Sequence, residues 1–290
     1  PATRGTNHLP HASDPLLPRN DHVKFIIEPW SDHHLRAYNC GITRMDLKNK
    51  VAIVTGATGG IGAETVRIFV EQGARVLAVD LNQEQADALA VPYDGAVAGA
   101  AFDVTQYAEV EAMLDRAIEA FGTLDIVVNN AGVGLPKMLL DHNPEEDWDF
   151  VTGVNQKGVY HGLVAAGKKF VALGKPGVIL NASSIYGQMA AEMTFVYNVS
   201  KAAVDMMTKC AALEFAPHNI RVVAVAPGRV DTPLLRQYEA LGLWEHIRRE
   251  QMRSEFTQPV EIANVYAFLA SDKANCINGT TVAAEDGFMN

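Results

Sequence analysis

From Val51 onward, short apolar runs alternate with stretches of helix length. The runs Val51–Thr55, Arg75–Asp80, Ala96–Phe102, Asp125–Asn129, Gly177–Asn181, Arg221–Val225 and Thr280–Ala283 are nearly all apolar. Continuous runs of this kind suit parallel strands buried on both faces. The segments between them carry helix punctuation. Gly73 and Gly122 stand just past helical stretches, where a left-handed residue ends a helix. Asn143-Pro144-Glu145-Glu146 reads as an N-cap, a proline at the first helical position and a capping-box Glu. A long helix is predicted from Glu145 to Leu173 and another over Phe195–Ala216. The alternation predicts an α/β fold: three layers, αβα, doubly wound with right-handed crossovers around a parallel sheet of about seven strands.

Residues 1–44 show neither period. They hold five of the nine histidines and prolines at positions 1, 10, 15, 18 and 29, and read as an irregular N-terminal extension. The spacing of His8 and His11 lacks helical context and further ligands, so no metal site is expected. Nothing there has the order of a signal peptide. No repeat or low-complexity linker interrupts the rest, so a single domain over 45–290 is expected. Hydrophobic residues make up 48% and charged residues 20%, which excludes disorder throughout. No apolar run approaches the roughly 18 residues of a membrane span. A formal charge of −10 argues against a nucleic-acid partner bound through its phosphates. Cys40, Cys210 and Cys276 are odd in number and far apart, which points to a reducing, cytoplasmic setting.

The segment Thr55-Gly56-Ala57-Thr58-Gly59-Gly60-Ile61-Gly62 follows the first strand and opens a helix. Gly56 allows a tight turn, Gly60 lets backbone approach a pyrophosphate, and Gly62 allows close helix–strand packing. Free N–H groups at the helix start then meet the phosphates, as in a Rossmann-type dinucleotide site. Asp80 ends the second strand, 18 positions after Gly62. A carboxylate there accepts hydrogen bonds from both adenosine ribose hydroxyls and repels a 2′-phosphate. Gly59, Leu81 and Asn82 supply no cation to offset that repulsion, so NAD(H) is expected rather than NADP(H).

Tyr197 and Lys201 are four apart in the second long helix and share one face. A free phenol titrates near 10, too high for a good base at neutral pH. A cation about 4 Å away is worth roughly 4 kcal/mol at an effective dielectric of 20, so Lys201 is expected to depress Tyr197.

Ser184 precedes Tyr197 by 13 positions. Taken in order, Thr55–Gly62, Asp80, Asn129-Asn130-Ala131-Gly132, Ser184, Tyr197–Lys201 and Pro227-Gly228-Arg229-Val230-Asp231-Thr232 resemble the short-chain dehydrogenase/reductase family, in its classical form, over 46–290. The resemblance implies a Rossmann fold and a Ser-Tyr-Lys-Asn site. Tyr197 is then the general acid/base, and Lys201 lowers its pKa and holds the nicotinamide ribose. Ser184, rather than Ser183, bonds the substrate oxygen, and Asn155 holds a water in a proton relay. The implied cofactor site takes in Gly56, Thr58, Gly59, Gly60, Ile61, Gly62, Asp80 and Leu81. Asp103 and Val104 flank the adenine, and Asn130, Ala131 and Gly132 line the riboses. Pro227, Gly228, Val230 and Thr232 lie toward the carboxamide, and Tyr197 and Lys201 complete the set. Asn129 ties the sheet through backbone bonds.

The expected activity is NAD(H)-dependent interconversion of a secondary alcohol and a ketone. Alternatives are a 3-oxoacyl thioester reductase-like enzyme and a non-catalytic NAD-binding sensor or assembly protein. The substrate segment, 232–257, is largely apolar, with Leu234, Leu235, Tyr238, Leu241, Leu243 and Trp244. Leu135, Tyr186, Met189 and Met193 are expected opposite, with Arg229 and Arg236 as the nearby cations. Glu285 stands where the family has a Val-Asp-Gly-Gly-like segment, which leaves the path of the C-terminus open. Gly158 and Gly162 lie on one helical face, and a helical glycine costs about 1 kcal/mol relative to Ala. Pairing of the two long helices with their copies, as the resemblance implies, gives a homodimer or homotetramer; packing of both glycines on their own sheet is the alternative.

Overall fold

The computed structural model describes residues 45–289, so the expected extension over 1–44 lies outside the described residues. Seven parallel strands form one sheet in the order β3-β2-β1-β4-β5-β6-β7. They are β1 (Val51–Thr55), β2 (Arg75–Asp80), β3 (Val97–Ala101), β4 (Ile126–Asn129), β5 (Gly177–Ala182), β6 (Ile220–Pro227) and β7 (Thr281–Ala284). Each predicted strand is present, with ends moved by no more than a residue or two. The helices are α1 (Gly60–Glu71), α2 (Gln83–Ala90), α3 (Tyr107–Phe121), α4 (Glu146–Thr152), α5 (Val159–Leu173), α6 (Phe195–Phe215), α7 (Trp244–Arg249) and α8 (Pro259–Ala270).

Two apolar layers account for the uninterrupted hydrophobic strands. On one face, Val66 and Phe69 of α1 and Ile262 and Tyr266 of α8 pack on Ala52, Val54, Val128 and Val225. On the other, Val110 and Met113 of α3, Leu163 and Phe170 of α5 and Val204 of α6 pack on Ile53, Val127, Ile179 and Val222. The strand order reverses between β1 and β4, the position where a crevice opens beyond the carboxyl ends of such a sheet.

The long helix expected from Glu145 to Leu173 is interrupted. Residues Gly153–Gly158 form a π-helical turn between α4 and α5, and Asn155 sits fully buried within it. A wider turn of this kind is a recurrent feature of functional sites. The capping differs too. Asn143 Oδ1 accepts from the amides of Glu145 and Glu146 at 3.2 and 3.4 Å, but the returning carboxylate is Asp147, at 2.8 Å from the Asn143 amide, not Glu146.

The two glycines considered for subunit contact face inward. A Cβ at Gly158 would lie 2.9 Å from Val104, and one at Gly162 would overlap the Asn129 carboxamide. That carboxamide donates to Asn181 Oδ1 at 2.9 Å, and Asn181 donates to Thr208 at 3.0 Å. Asn129 therefore ties β4 to β5 and α6 through side chains, rather than through its backbone alone.

Candidate active site

The loop after β1 is shaped by a small hydrogen-bond cluster. Thr55 Oγ1 accepts from the amides of Asn130 and Ala131 at 3.0 and 3.1 Å, and Asn130 Nδ2 donates to the carbonyls of Thr55 and Gly56 at 2.9 and 3.2 Å. Gly56 takes φ +62°, and a Cβ at Gly62 would overlap the Gly56 carbonyl, so both positions require glycine. Helix α1 begins at Gly60 with no side chain capping its first amides. Those amides face a groove of about 500 Å³.

The groove gathers most of the expected cofactor residues. Gly56, Thr58, Gly59, Gly60, Ile61, Gly62, Asp80, Leu81, Asp103, Val104, Asn130, Ala131, Gly132 and Thr232 all line it, and among the described residues no lysine or arginine does. Asp80 is held in place: Oδ2 accepts from Thr58 N and Oγ1 at 3.0 and 2.7 Å, and Oδ1 accepts from Leu81 N at 2.8 Å. Asp103 spends its carboxylate on Thr105, with both contacts at 2.8 Å.

A second cavity, about 150 Å³, adjoins the groove and shares Ile61, Asn130, Gly132 and Thr232 with it. Ser184, Tyr197, Lys201, Pro227, Gly228 and Val230 line it. Ser184 accepts from the Tyr186 amide at 3.2 Å, while Ser183 donates to the Lys201 carbonyl at 3.4 Å and so serves the packing of α6. Asn155 is the expected catalytic residue whose side chain is not brought to the cavity. Its Oδ1 accepts from Val133 N and its Nδ2 donates to Val133 O, both at 2.8 Å. It still stands near Lys201: a Cβ on Gly132 would be 3.3 Å from Asn155 Oδ1 and 3.5 Å from Lys201 Nζ.

The electrostatics of the pair reverse the expectation. Burial pushes the Tyr197 phenol up to about 12, against a smaller downward pull from its hydrogen bond with Ser184. Burial also brings Lys201 down to about 8, against the opposing attraction of Asp205. Lys201 Nζ donates to the Ala182 carbonyl at 2.8 Å and lies over the Tyr197 ring, 5.5 Å from its centroid.

The substrate segment is only partly as expected. Leu135, Tyr186, Leu234, Leu235 and Tyr238 line the cavity. Met189 and Met193 do not, and Trp244 packs on Phe256 at 4.4 Å instead. Arg236 pairs with Asp231 at 2.9 Å outside the cavity. Gln237, Thr194 and Tyr266 line it without having been anticipated; Tyr266 comes from α8, where its apolar neighbours mark it only as core. Arg229 donates to the Tyr186 hydroxyl through Nε and Nη2 at 3.2 and 3.1 Å and pairs with Glu250. The C-terminus closes over this group. Gly228 N donates to Ala284 O at 3.0 Å, Asp286 turns at φ +56°, and its carboxylate meets Arg253 Nε at 2.8 Å. The Phe288 ring then lies 4.5 Å from the Arg229 guanidinium.

Comparison with known proteins accords with this geometry. A family model described as enoyl-(acyl carrier protein) reductase matches residues 56–289. The 3-oxoacyl-[acyl-carrier-protein] reductase FabG of Thermotoga maritima is 34% identical over 84% of this chain and 100% of its own. The 3beta-hydroxysteroid dehydrogenase 2 of Eggerthella lenta is 35% identical over 83% of this chain and 95% of its own. Among solved structures, the 3-ketoacyl-(acyl-carrier-protein) reductase from Brucella melitensis complexed with NADH superposes with a TM-score of 0.79 at 34% identity, covering 84% of this chain and 100% of that one. The chain belongs to the short-chain dehydrogenase/reductase family. Within it, the protein is an oxidoreductase acting on CH–OH or carbonyl groups.

The depressed Lys201 value has a measurable consequence. Its folded pKa, about 8, lies below the ordinary lysine value of 10.5, so the unfolded chain binds the extra proton between those pH values. The cost of burying the charge is complete below pH 8 and is relieved as pH rises. At about 1.4 kcal/mol per unit, the gain reaches ~3 kcal/mol at most. Denaturant unfolding at pH 8 and pH 10 should show this rise in the native sequence and a flatter profile in Lys201→Met; equal slopes would contradict the assignment.

Proposed function

We propose that the protein interconverts a secondary alcohol and a ketone with NAD(H) as hydride carrier. The observation that carries this reading is the meeting of Ser184, Tyr197 and Lys201 in the small cavity that opens from the glycine-lined groove. The groove fits a dinucleotide: its floor is glycine, and uncapped helix amides suit a pyrophosphate. When bound, the nicotinamide gives or takes the hydride.

The chain's own groups handle the rest. Ser184 holds the substrate oxygen, and Tyr197 exchanges a proton with it, as base in oxidation and acid in reduction. A phenol at about 12 holds its proton at neutral pH, ready for reduction, and oxidation needs a nearby cation to stabilise the phenolate, the role proposed for Lys201. Asn155, with Val133, fixes the wall beside Lys201. Asp80, already oriented by Thr58, meets the ribose hydroxyls, and the absence of a lysine or arginine among the groove-lining residues favours NAD(H) over NADP(H).

Two further readings belong here. The T. maritima and B. melitensis relatives support a 3-oxoacyl thioester reductase-like activity as the alternative. Exposed Trp148 and Phe150 on α4, Tyr160 on α5, and Met206 and Leu213 on α6 support self-association into a homodimer or homotetramer. No helix among the described residues is long and apolar enough to cross a membrane, and Cys210 and Cys276 are free, in keeping with a cytoplasmic enzyme.

Tyr197→Phe should cut kcat by at least ~100-fold while NADH binding, followed by nicotinamide fluorescence, stays intact. Near-normal turnover would refute the role. In the native sequence kcat/KM should be higher with NAD(H) than with NADP(H), and Asp80→Ser should narrow that ratio about tenfold; equal use of both cofactors by the native enzyme is the contrary result. Light scattering at micromolar concentration should give a multiple of the chain mass, and Met206→Glu should lower it. A monomer mass for the native protein would rule out the assembly.

A further inference from the structure

Among the described residues, Arg229 is the one basic side chain besides Lys201 that lines the small cavity. Arginine in a substrate cavity ordinarily suggests recognition of a carboxylate. Here its charge and most of its donors are already committed. Nη1 donates to the Ile247 carbonyl at 2.7 Å and also pairs with Glu250. Nε and Nη2 both donate to the Tyr186 hydroxyl, at 3.2 and 3.1 Å. Phe288 covers one face of the guanidinium, and the residue is only 8% exposed. The other Glu250 oxygen lies 3.6 Å from His246.

Two consequences follow from elementary hydrogen-bond accounting. A substrate carboxylate would have to compete for Arg229 with the partly exposed Glu250, and would meet that residue's negative charge close by. Meanwhile Tyr186, accepting twice from Arg229, keeps its own O–H to give away. Its ring packs edge-on against Tyr197, with centroids 6.5 Å apart, and both residues line the small cavity.

We propose that Tyr186, oriented by Arg229, is a specificity-determining residue that donates to an uncharged acceptor oxygen of the substrate, and that the Arg229–Glu250 pair keeps carboxylates out. The substrate class is therefore a neutral alcohol or ketone carrying a second, uncharged oxygen, such as an ester, amide, ether or further hydroxyl. This rests on the reading of the cavity as the substrate site, but not on any particular turnover.

The test uses two unreactive probes, cyclohexanecarboxamide and cyclohexanecarboxylate, titrated into the NADH-loaded protein and followed by calorimetry. The carboxamide should bind at least tenfold more tightly. Equal binding, tighter binding of the carboxylate, or binding of neither overturns the proposal. Glu250→Gln frees the Arg229 charge and should move the ratio at least tenfold toward the carboxylate. Tyr186→Phe should weaken the carboxamide severalfold and leave the carboxylate unchanged; an unaltered ratio in both variants also overturns it. The native comparison stands if either variant fails to fold. Carboxamide binding by a protein that oxidises no alcohol would refute the catalytic reading and leave this one intact.

Discussion

The fork between β1 and β4 is held by Thr55 and Asn130, and both cavities open from it. Each residue serves the other's strand: the threonine hydroxyl accepts amides from the start of the β4 loop, and the asparagine carboxamide closes on carbonyls of the β1 loop. The two loops are thereby tied together by side chains beyond the ends of their strands. What remains is a cleft with glycine on one side and Gly132, backed by Lys201 and Asn155, on the other. A parallel sheet supplies the fork by its topology, but these contacts give it a fixed width.

Much of this architecture was legible because its signals are local. Seven apolar runs of strand length needed no tertiary information, since burial on both faces demands uniform hydrophobicity. The glycine loop was legible for a similar reason: its glycines answer to distances within one strand–turn–helix unit. The π-helical turn at Gly153–Gly158 was not, because it shifts the phase of the helix within a single turn, too short a stretch for periodicity to register, and shows only in where Asn155 ends up. The role of Gly162 was misread for a related reason. Helical spacing shows which residues share a face but not what that face meets, and here it meets Asn129.

The electrostatic expectation failed on a different ground. Spacing placed a cation near the phenol, and Coulomb's law then favoured a lowered pKa. The fold buries both groups, and desolvation acts on each separately: it raises the acid and lowers the base. Desolvation is the largest influence on each of the two groups, although Lys201 Nζ lies only 5.5 Å from the Tyr197 ring centroid. Helical periodicity reports on neither depth nor hydrogen-bond partner, so no sequence pattern could have supplied the sign. The Arg229 cluster was hidden in the same way, since its partners come from three separate stretches of chain.

The left-handed turn at Asp286 joins the last residues to Arg253, and Phe288 to Arg229. Phe288 itself lines neither cavity and reaches the small one only through Arg229, whose guanidinium it covers. A change at Phe288 would thus alter how Arg229 is held, and with it the Tyr186 hydroxyl, without Phe288 ever meeting the contents of the cavity.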